Sequence, residues 1–273
     1  MPITLYDDGT HKCIVFADLV DCEGDDDKEE GLSCDSVQSN QFLVVNNRHA
    51  ALFEPGGHLT YTRLFLALSD YVTPKNLDYI IASHADPDIV SSINKWLIGS
   101  SAKVIVPSLW KRFVPHFCSR GATKGRLFGI PDKGATLQIG GAMIKAIPAH
   151  FLHSEGNFHF YDSVSKILFT SDMGASHVPD SECGKPVQNF EAHIKNMEGF
   201  HRRYMNSNKV CRYWASMVRS LDVEMIVPQH GAVIQGKEMV NKFLTWIENL
   251  QCGVDLMTQE HYRIPTEQMV IAA

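Results

Sequence analysis

Hydrophobic and polar positions alternate along this chain in blocks that read as strands and helices joined by short connections. Apolar runs over residues 12–19 and 41–53 predict strands, the second folded at Asn46-Asn47, a pair that favours a hairpin turn. Pro55-Gly56-Gly57 breaks the pattern. Leu59, Leu64, Phe65 and Leu68 then recur at helical spacing over residues 58–71. A buried-type strand is predicted over 77–83, and a short helix over 89–98, with Pro87 suited to an early helical position and Asp86 to its cap. A strand at 104–106 and a helix over 108–118 follow. The second half predicts strands at 136–139, 142–147, 157–161 and 166–170. Two helices over 188–206 and 208–221, a strand at 225–227 and a helix over 237–250 complete it. Strands and helices, twice over, predict a mixed α/β (α+β) chain with two helix-covered sheets and loops at one end carrying the chemistry. No linker or short repeat divides it. The expectation is a single domain over 1–250 and a C-terminal tail over 251–273, a candidate partner-binding or dimer-stabilising segment.

Composition narrows the function classes. The 273 residues are 44% hydrophobic and 21% charged, the balance of an ordinary soluble protein. No apolar run approaches the roughly 20 residues that span a bilayer. The first residues, Met-Pro-Ile-Thr-Leu-Tyr-Asp-Asp, have no basic or apolar leader pattern, so no membrane association is expected. A net charge of −6 argues against a nucleic-acid partner, because phosphate binding requires a basic face. The acidic run 21–30 reads as a solvated loop. Seven scattered cysteines without a C-x-x-C pair argue against a disulfide framework and for a reducing, cytoplasmic setting.

The candidate chemistry sits at strand ends. His84, Asp86 and Asp88 follow an apolar run at spacing i, i+2, i+4, so a loop leaving that strand can aim all three at one point. His150 and His153 leave the strand at 142–147, Asp172 follows 166–170, and His230 follows 225–227. One His after a strand is usually incidental, and Asp-x-Gly is usually a turn. Four such ends in one chain point instead to a metal site. His150 and His153 both stand as candidates there, the one that is not a ligand serving as a supporting or packing residue. His177 is a candidate for the pocket mouth. His159 is expected to face a partner or solvent, and Phe151, Tyr161 and Trp214 to be core rather than redox relays.

His-x-Asp-x-Asp, His-Ser-x-Gly-Asn, Ser-Asp and Gln-His-Gly, in this order, resemble the metallo-β-lactamase superfamily over nearly all of the chain. The resemblance implies an αββα sandwich with a two-metal site at one edge of the sheets. Hydrolases of that superfamily carry His where this chain has Asp86 and Ile89. An acidic residue at position 86, and the segment from Arg203 to Gly231, are similar to the flavodiiron branch instead. Its members reduce dioxygen or nitric oxide at a di-iron centre fed by a flavodoxin-like domain. The chain ends too soon after His230 to hold that domain, so no flavin is expected. It is most similar to the oxygen-binding di-iron proteins of bacterial chemotaxis.

By this resemblance His84, Asp86, His153 and Asp172 hold one metal. Asp88, Asp172 and His230 hold the other, with Asp172 as the bridge. Three imidazoles and three carboxylates without a thiolate suit two iron ions, Fe2+/Fe3+, better than a structural zinc site. Ile89 either leaves the second metal an open position beside an apolar wall or packs on a neighbouring helix. No catalytic residue is assigned. The expected function is dioxygen binding, reversibly or as a persistent peroxo adduct, for sensing in chemotaxis. A chemoreceptor and a homodimeric state are the expected associations. The alternatives are an oxygen or nitric oxide reductase served by a separate electron donor, such as a flavoprotein, and a metallo-hydrolase of an ester, thioester or phosphodiester.

Overall fold

The computed structural model describes residues 2–17, 19–20 and 37–264; the acidic run 21–30 and the last part of the tail lie outside the described residues. Two sheets form the centre. The first has seven strands in chain order: β1 (Pro2–Asp7), β2 (His11–Ala17), β3 (Asn40–Asn46), β4 (His49–Phe53), β5 (Tyr79–Ile81), β6 (Lys103–Pro107) and β7 (Leu127–Ile130). β1 to β4 pair antiparallel, and β4 to β7 pair parallel. The second sheet holds β8 (Ala135–Ile139), β9 (Ala142–Pro148), β10 (Phe158–Asp162), β11 (Ile167–Phe169), β12 (Met225–Val227) and β13 (Ile234–Gln235), in the order β13-β12-β11-β10-β9-β8. Helices α1 (Tyr61–Ser69), α2 (Pro87–Val90) and α3 (Ile93–Gly99) cover the first sheet. Helices α4 (Phe190–Tyr204), α5 (Asn208–Val218) and α6 (Lys237–Asn249) cover the second.

This αββα layering explains why β10 and β11 are buried at every position rather than alternating. Both faces of these central strands are covered, so both must be apolar, whereas β9 alternates buried and exposed positions from Ala142 to Ala146. Phe53 stacks on Phe169 at 5.4 Å between ring centroids, and it meets Phe160 edge-on at 5.1 Å, joining the sheets. Outside the first sheet, Leu64, Leu68 and Trp96 pack on Leu43, Leu52 and Ile80. Outside the second, Phe190, Trp214 and Phe243 pack on Leu168 and Ile226.

The hairpin at Asn46-Asn47 forms as expected, with Asn47 at φ 56°. Three expectations fail for physical reasons. No α-helix forms over 108–118; Pro115 cannot donate a helical hydrogen bond there, and only a short 3-10 turn, Val114–Phe117, survives. The helix expected over 89–98 is divided into α2 and α3, where the Ser92 hydroxyl reaches across to the Pro55 and Gly56 carbonyls. Asp86 occupies the cap position of α2 but makes no capping bond, because its carboxylate turns toward His84 and His153. The tail from Gln251 to Ile264 contains two short 3-10 turns, Gly253–Leu256 and Gln259–His261.

Candidate metal centre

Four loops leave the same end of the two sheets. They follow β5, β9, β11 and β12, and backbone hydrogen bonds lace them together. Phe158 N–H donates to Ser83 O at 3.2 Å, Thr170 N–H to Val227 O at 3.1 Å, and Gln229 N–H to Ser171 O at 2.7 Å. Where His230 meets its loop, Gly231 adopts φ 82°, and a Cβ there would lie 2.1 Å from Ser176 O, so the His-Gly pair is a steric requirement. Asn40 braces the same loop by donating to the Pro228 and Gly231 carbonyls.

His84, Asp86, Asp88, His153, Asp172 and His230 all converge at this end. His153 Nε2 lies 2.8 Å from Asp86 Oδ2, and His84 Nε2 lies 3.4 Å from the same oxygen. Asp172 directs its two oxygens to opposite sides: Oδ2 is 3.2 Å from His84 Nε2, and Oδ1 is 3.1 Å from His230 Nε2. Asp88 Oδ2 is 3.6 Å from His230 Nε2 on the second side. The arrangement therefore has two compartments with one shared carboxylate.

The imidazoles are held from behind. His84 Nδ1–H donates to Ser83 Oγ at 2.9 Å, Ser83 donates to Ser171 Oγ at 3.0 Å, and Ser171 donates to Asp172 Oδ2 at 3.0 Å. His84 Nε2 is left buried and without a hydrogen-bond partner, facing the centre. His230 Nδ1–H donates to the Gln38 carbonyl, which likewise turns Nε2 inward. Gln229 Nε2–H donates to Asp88 Oδ2 at 2.9 Å. Such outer partners fix the ring orientation and tautomer that a metal needs. The donor set, its inward aim and the orphaned Nε2 fit a pair of oxygen- and nitrogen-seeking cations.

Electrostatics agree. Burial works against charge on His84 and His230, but the carboxylates of Asp172 with Asp86 or Asp88 overcome it and push both imidazoles up to about 9. Burial likewise opposes ionisation of Asp86 and Asp172, yet the surrounding imidazoles hold both carboxyls well below their ordinary range. The site is a strong field for positive charge.

His153 sits in a strained loop. Phe151 at φ 65° and His153 at φ 71° are left-handed without being glycine. Asn157 secures the loop by donating to the Leu152 carbonyl at 2.7 Å, which accounts for the Asn of His-Ser-x-Gly-Asn. Tyr204 and Phe200 of α4 rest on the His153 ring at 5.2 and 6.0 Å.

The remaining candidates are distributed differently. Ile89 is fully buried among the core residues between the first sheet and its helices. His150 is hydrogen-bonded to the Asp132 carbonyl at 2.9 Å, and its ring meets Phe158 edge-on. His177 is exposed, its backbone N–H donating to Asn196 O. His159 corrects the expectation of an outward side chain: it is fully buried, and Trp214 Nε1–H donates to its Nδ1 at 2.8 Å. Burial holds it down at about 3. Tyr161 and Trp214 are core as expected, but Phe151 is 47% exposed.

Two residues went unnoticed in the sequence. Glu54, buried and at φ 52°, accepts from Ser83 N–H at 3.2 Å, and burial pushes its carboxyl up to about 7. His201 of α4 accepts from Gly174 N–H through Nε2 at 2.9 Å and donates from Nδ1 to Met197 O at 2.8 Å. It thereby ties the Asp172 loop to the helical layer. A second cluster, His11, Cys13 and Asp162, lies buried at the opposite end of β10. There His11, Ser165 and Val164 already satisfy Asp162 by hydrogen bonds.

Fold and site together define a metallo-β-lactamase-like core of the flavodiiron type. The chain belongs to the family described as ODP family beta lactamase, which it matches over residues 37–231. A structure of the peroxy diiron species of the chemotaxis sensor ODP is 38% identical, covers 93% of this chain and 97% of its own, and superposes with a TM-score of 0.79. The apo state of chemotaxis sensor ODP from T. denticola, also 38% identical, covers 94% of this chain and 97% of its own at 0.77. Rubredoxin oxygen:oxidoreductase from Desulfovibrio gigas, at 16% identity, covers 90% of this chain and 62% of its own at 0.73, and shares the fold. An uncharacterised protein of Methanocaldococcus jannaschii is 27% identical over 218 residues, which is 77% of this chain but 53% of that protein. This chain thus spans about half the length of that curated relative.

Proposed function

We propose that this chain is a di-iron protein that binds dioxygen and serves as an oxygen sensor in chemotaxis. The observation that carries the reading is Asp172, whose two oxygens face His84 and His230 on opposite sides. Its support is the 38% identity, across nearly the whole chain, to the chemotaxis sensor ODP in its peroxy diiron form.

In this reading His84, Asp86, His153 and Asp172 hold one iron, and Asp88, Asp172 and His230 the other. When bound, two ferrous ions supply the electrons that dioxygen draws on. The protein's own work is positional. Asp172 would hold both ions, one carboxylate oxygen toward each side, and the Ser83–Ser171 relay keeps the proton of His84 on Nδ1. Gln38 and Gln229 fix His230 and Asp88. Three carboxylates would offset the cationic charge and, as hard oxygen donors, would suit iron better than the thiolate-rich set of a closed zinc site. Asp88, Asp172 and His230 would hold the second iron with three protein residues, one fewer than would hold the first. No helix among the described residues is long and apolar enough to cross a membrane. A cytoplasmic location, a homodimer and a chemoreceptor partner belong to the same proposal.

The test is direct. The protein is loaded with Fe(II) under anaerobic conditions, oxygen is admitted, and the visible spectrum is followed without any electron donor. The proposal expects a new absorption that outlives mixing by minutes or more and scales with iron content. Isolation with zinc, turnover of a thioester or phosphodiester and no oxygen-dependent spectrum would replace it with hydrolysis. Rapid oxygen consumption when a flavoprotein reductant is supplied would replace it with a reductase.

A further inference from the structure

We infer that Cys211 and Cys252 form a redox-active dithiol, which a hydroperoxide converts to a disulfide that locks the C-terminal segment onto α5. They are 41 positions apart in sequence, yet their Sγ atoms lie 3.8 Å apart, and both side chains are fully buried. A disulfide requires about 2.05 Å between sulfurs, so closure asks for less than 2 Å of movement. Cys211 lies in the first turns of α5, its N–H donating to Ser207 O. Cys252 begins the turn Gly253–Leu256, where its sulfur accepts from the Asp255 N–H and Asp255 accepts from the Cys252 N–H.

The two thiols are not equivalent. Either sulfur can donate the hydrogen bond between them, and their coupling holds the Cys211 thiol up and the Cys252 thiol down. Cys252, whose sulfur also accepts from the Asp255 N–H, is the attacking sulfur. Its thiolate displaces hydroxide from hydrogen peroxide to give a sulfenic acid. Cys211 then attacks that sulfur, and the sulfenic oxygen leaves as water. The sum is two thiols and one peroxide to one disulfide and two waters. The segment Gly253–Ile264 has two single 3-10 turns, and Val254, Tyr262 and Ile264 are exposed, so local opening can admit so small an oxidant.

The pair is wired toward His153. Val254 N–H donates to Asn206 O at 2.8 Å, and Asn206 N–H donates to Phe151 O at 3.1 Å. Met205 and Leu152 form an isolated bridge beside them. Fixing the tail to α5 thus tightens the turn between α4 and α5 against the strained loop that presents His153. The inference rests on these sulfurs and contacts, and it holds whichever metal the centre takes.

The test uses the reduced full chain, treated with hydrogen peroxide, alkylated and digested without reductant for mass spectrometry. The expected result is a linked Cys211–Cys252 peptide pair two hydrogens lighter than the thiols. It is reversed by dithiothreitol and absent from Cys211→Ser and Cys252→Ser, while Cys13 stays reduced. Amide exchange at Val254 and Asn206 should slow about tenfold on oxidation, equal to ~1.4 kcal/mol of added local stability. Alkylation of both cysteines as thiols after peroxide, or separate oxidation of each without a linked pair, overturns the inference. So does a linked pair that leaves exchange at Val254 unchanged.

Discussion

Replacing His201 by leucine should remove an acid sensitivity that the wild-type chain carries in its helical layer. Both ring nitrogens of this fully buried histidine are engaged, Nε2 accepting from Gly174 N–H and Nδ1 donating to Met197 O. Burial, working against a backbone hydrogen bond to Met197, moves it from 6.5 down to about 4. The unfolded chain therefore binds the proton more readily between those values. The stability that His201 contributes is complete above 6.5 and is lost as pH falls through the folded value. Lowering the pH from about 7.5 to about 5 should cost ~2 kcal/mol through this one residue. Leucine has no proton to bind, so that increment disappears. It also leaves the Gly174 N–H without an acceptor, a cost of about 1–3 kcal/mol at every pH. The assay is urea unfolding of chelator-treated wild type and His201→Leu at both pH values. The variant should be weaker at neutral pH, with the gap narrowing by ~2 kcal/mol in acid. An unchanged gap would refute the assignment of His201 as a buried neutral imidazole.

Three further outcomes follow from the same geometry. Asp172→Ala should release both metals, each affinity falling by more than the roughly 10–100-fold typical of losing an outer partner; one metal still tightly bound in equilibrium dialysis would exclude the bridge. Glu54→Gln should raise the stability of the chelator-treated protein at about pH 8 by on the order of 2 kcal/mol, because the carboxyl raised to about 7 by burial disfavours folding once pH climbs past its ordinary 4.5; denaturation curves that coincide would count against it. Gly231→Ala meets the Ser176 carbonyl at 2.1 Å in a left-handed backbone, so it should lower thermal stability by at least ~2 kcal/mol and displace His230; a variant matching wild type in both melting and metal binding would contradict the close approach.

Much of this was legible in the residues because the site is built from strand ends. His84, Asp86, Asp88, His153, Asp172 and His230 each follow an apolar run that stops abruptly, and the chain folds those stops to one edge. The central strands were equally plain, since burial on both faces leaves unbroken apolar runs such as Ile167–Phe169. What the sequence hid depends on contacts distant in the chain. β1 mixes half-buried Ile3, Leu5 and Tyr6 with exposed Thr4 and Asp7 and shifts register between Thr4 and Tyr6, and β13 has two residues, so neither stood out as a strand. Ser92 divides α2 from α3 by reaching Pro55, 37 positions earlier. His159 and His201 gave no local sign of burial, because Trp214 and Gly174 supply their partners from other elements. Glu54 sits beside a Pro-Gly-Gly break that marks a turn but says nothing of the carboxyl beneath it. Cys211 and Cys252 look scattered in one dimension and touch in three.

A binuclear centre bridged by Asp172 is visible to diffraction at the iron absorption edge. Crystals of the iron-loaded protein should give two anomalous peaks roughly 3.5–4 Å apart, flanking the Asp172 carboxylate. One should lie among His84, Asp86 and His153, the other between Asp88 and His230. A single peak, or one at His11, Cys13 and Asp162 instead, would exclude a centre bridged by Asp172.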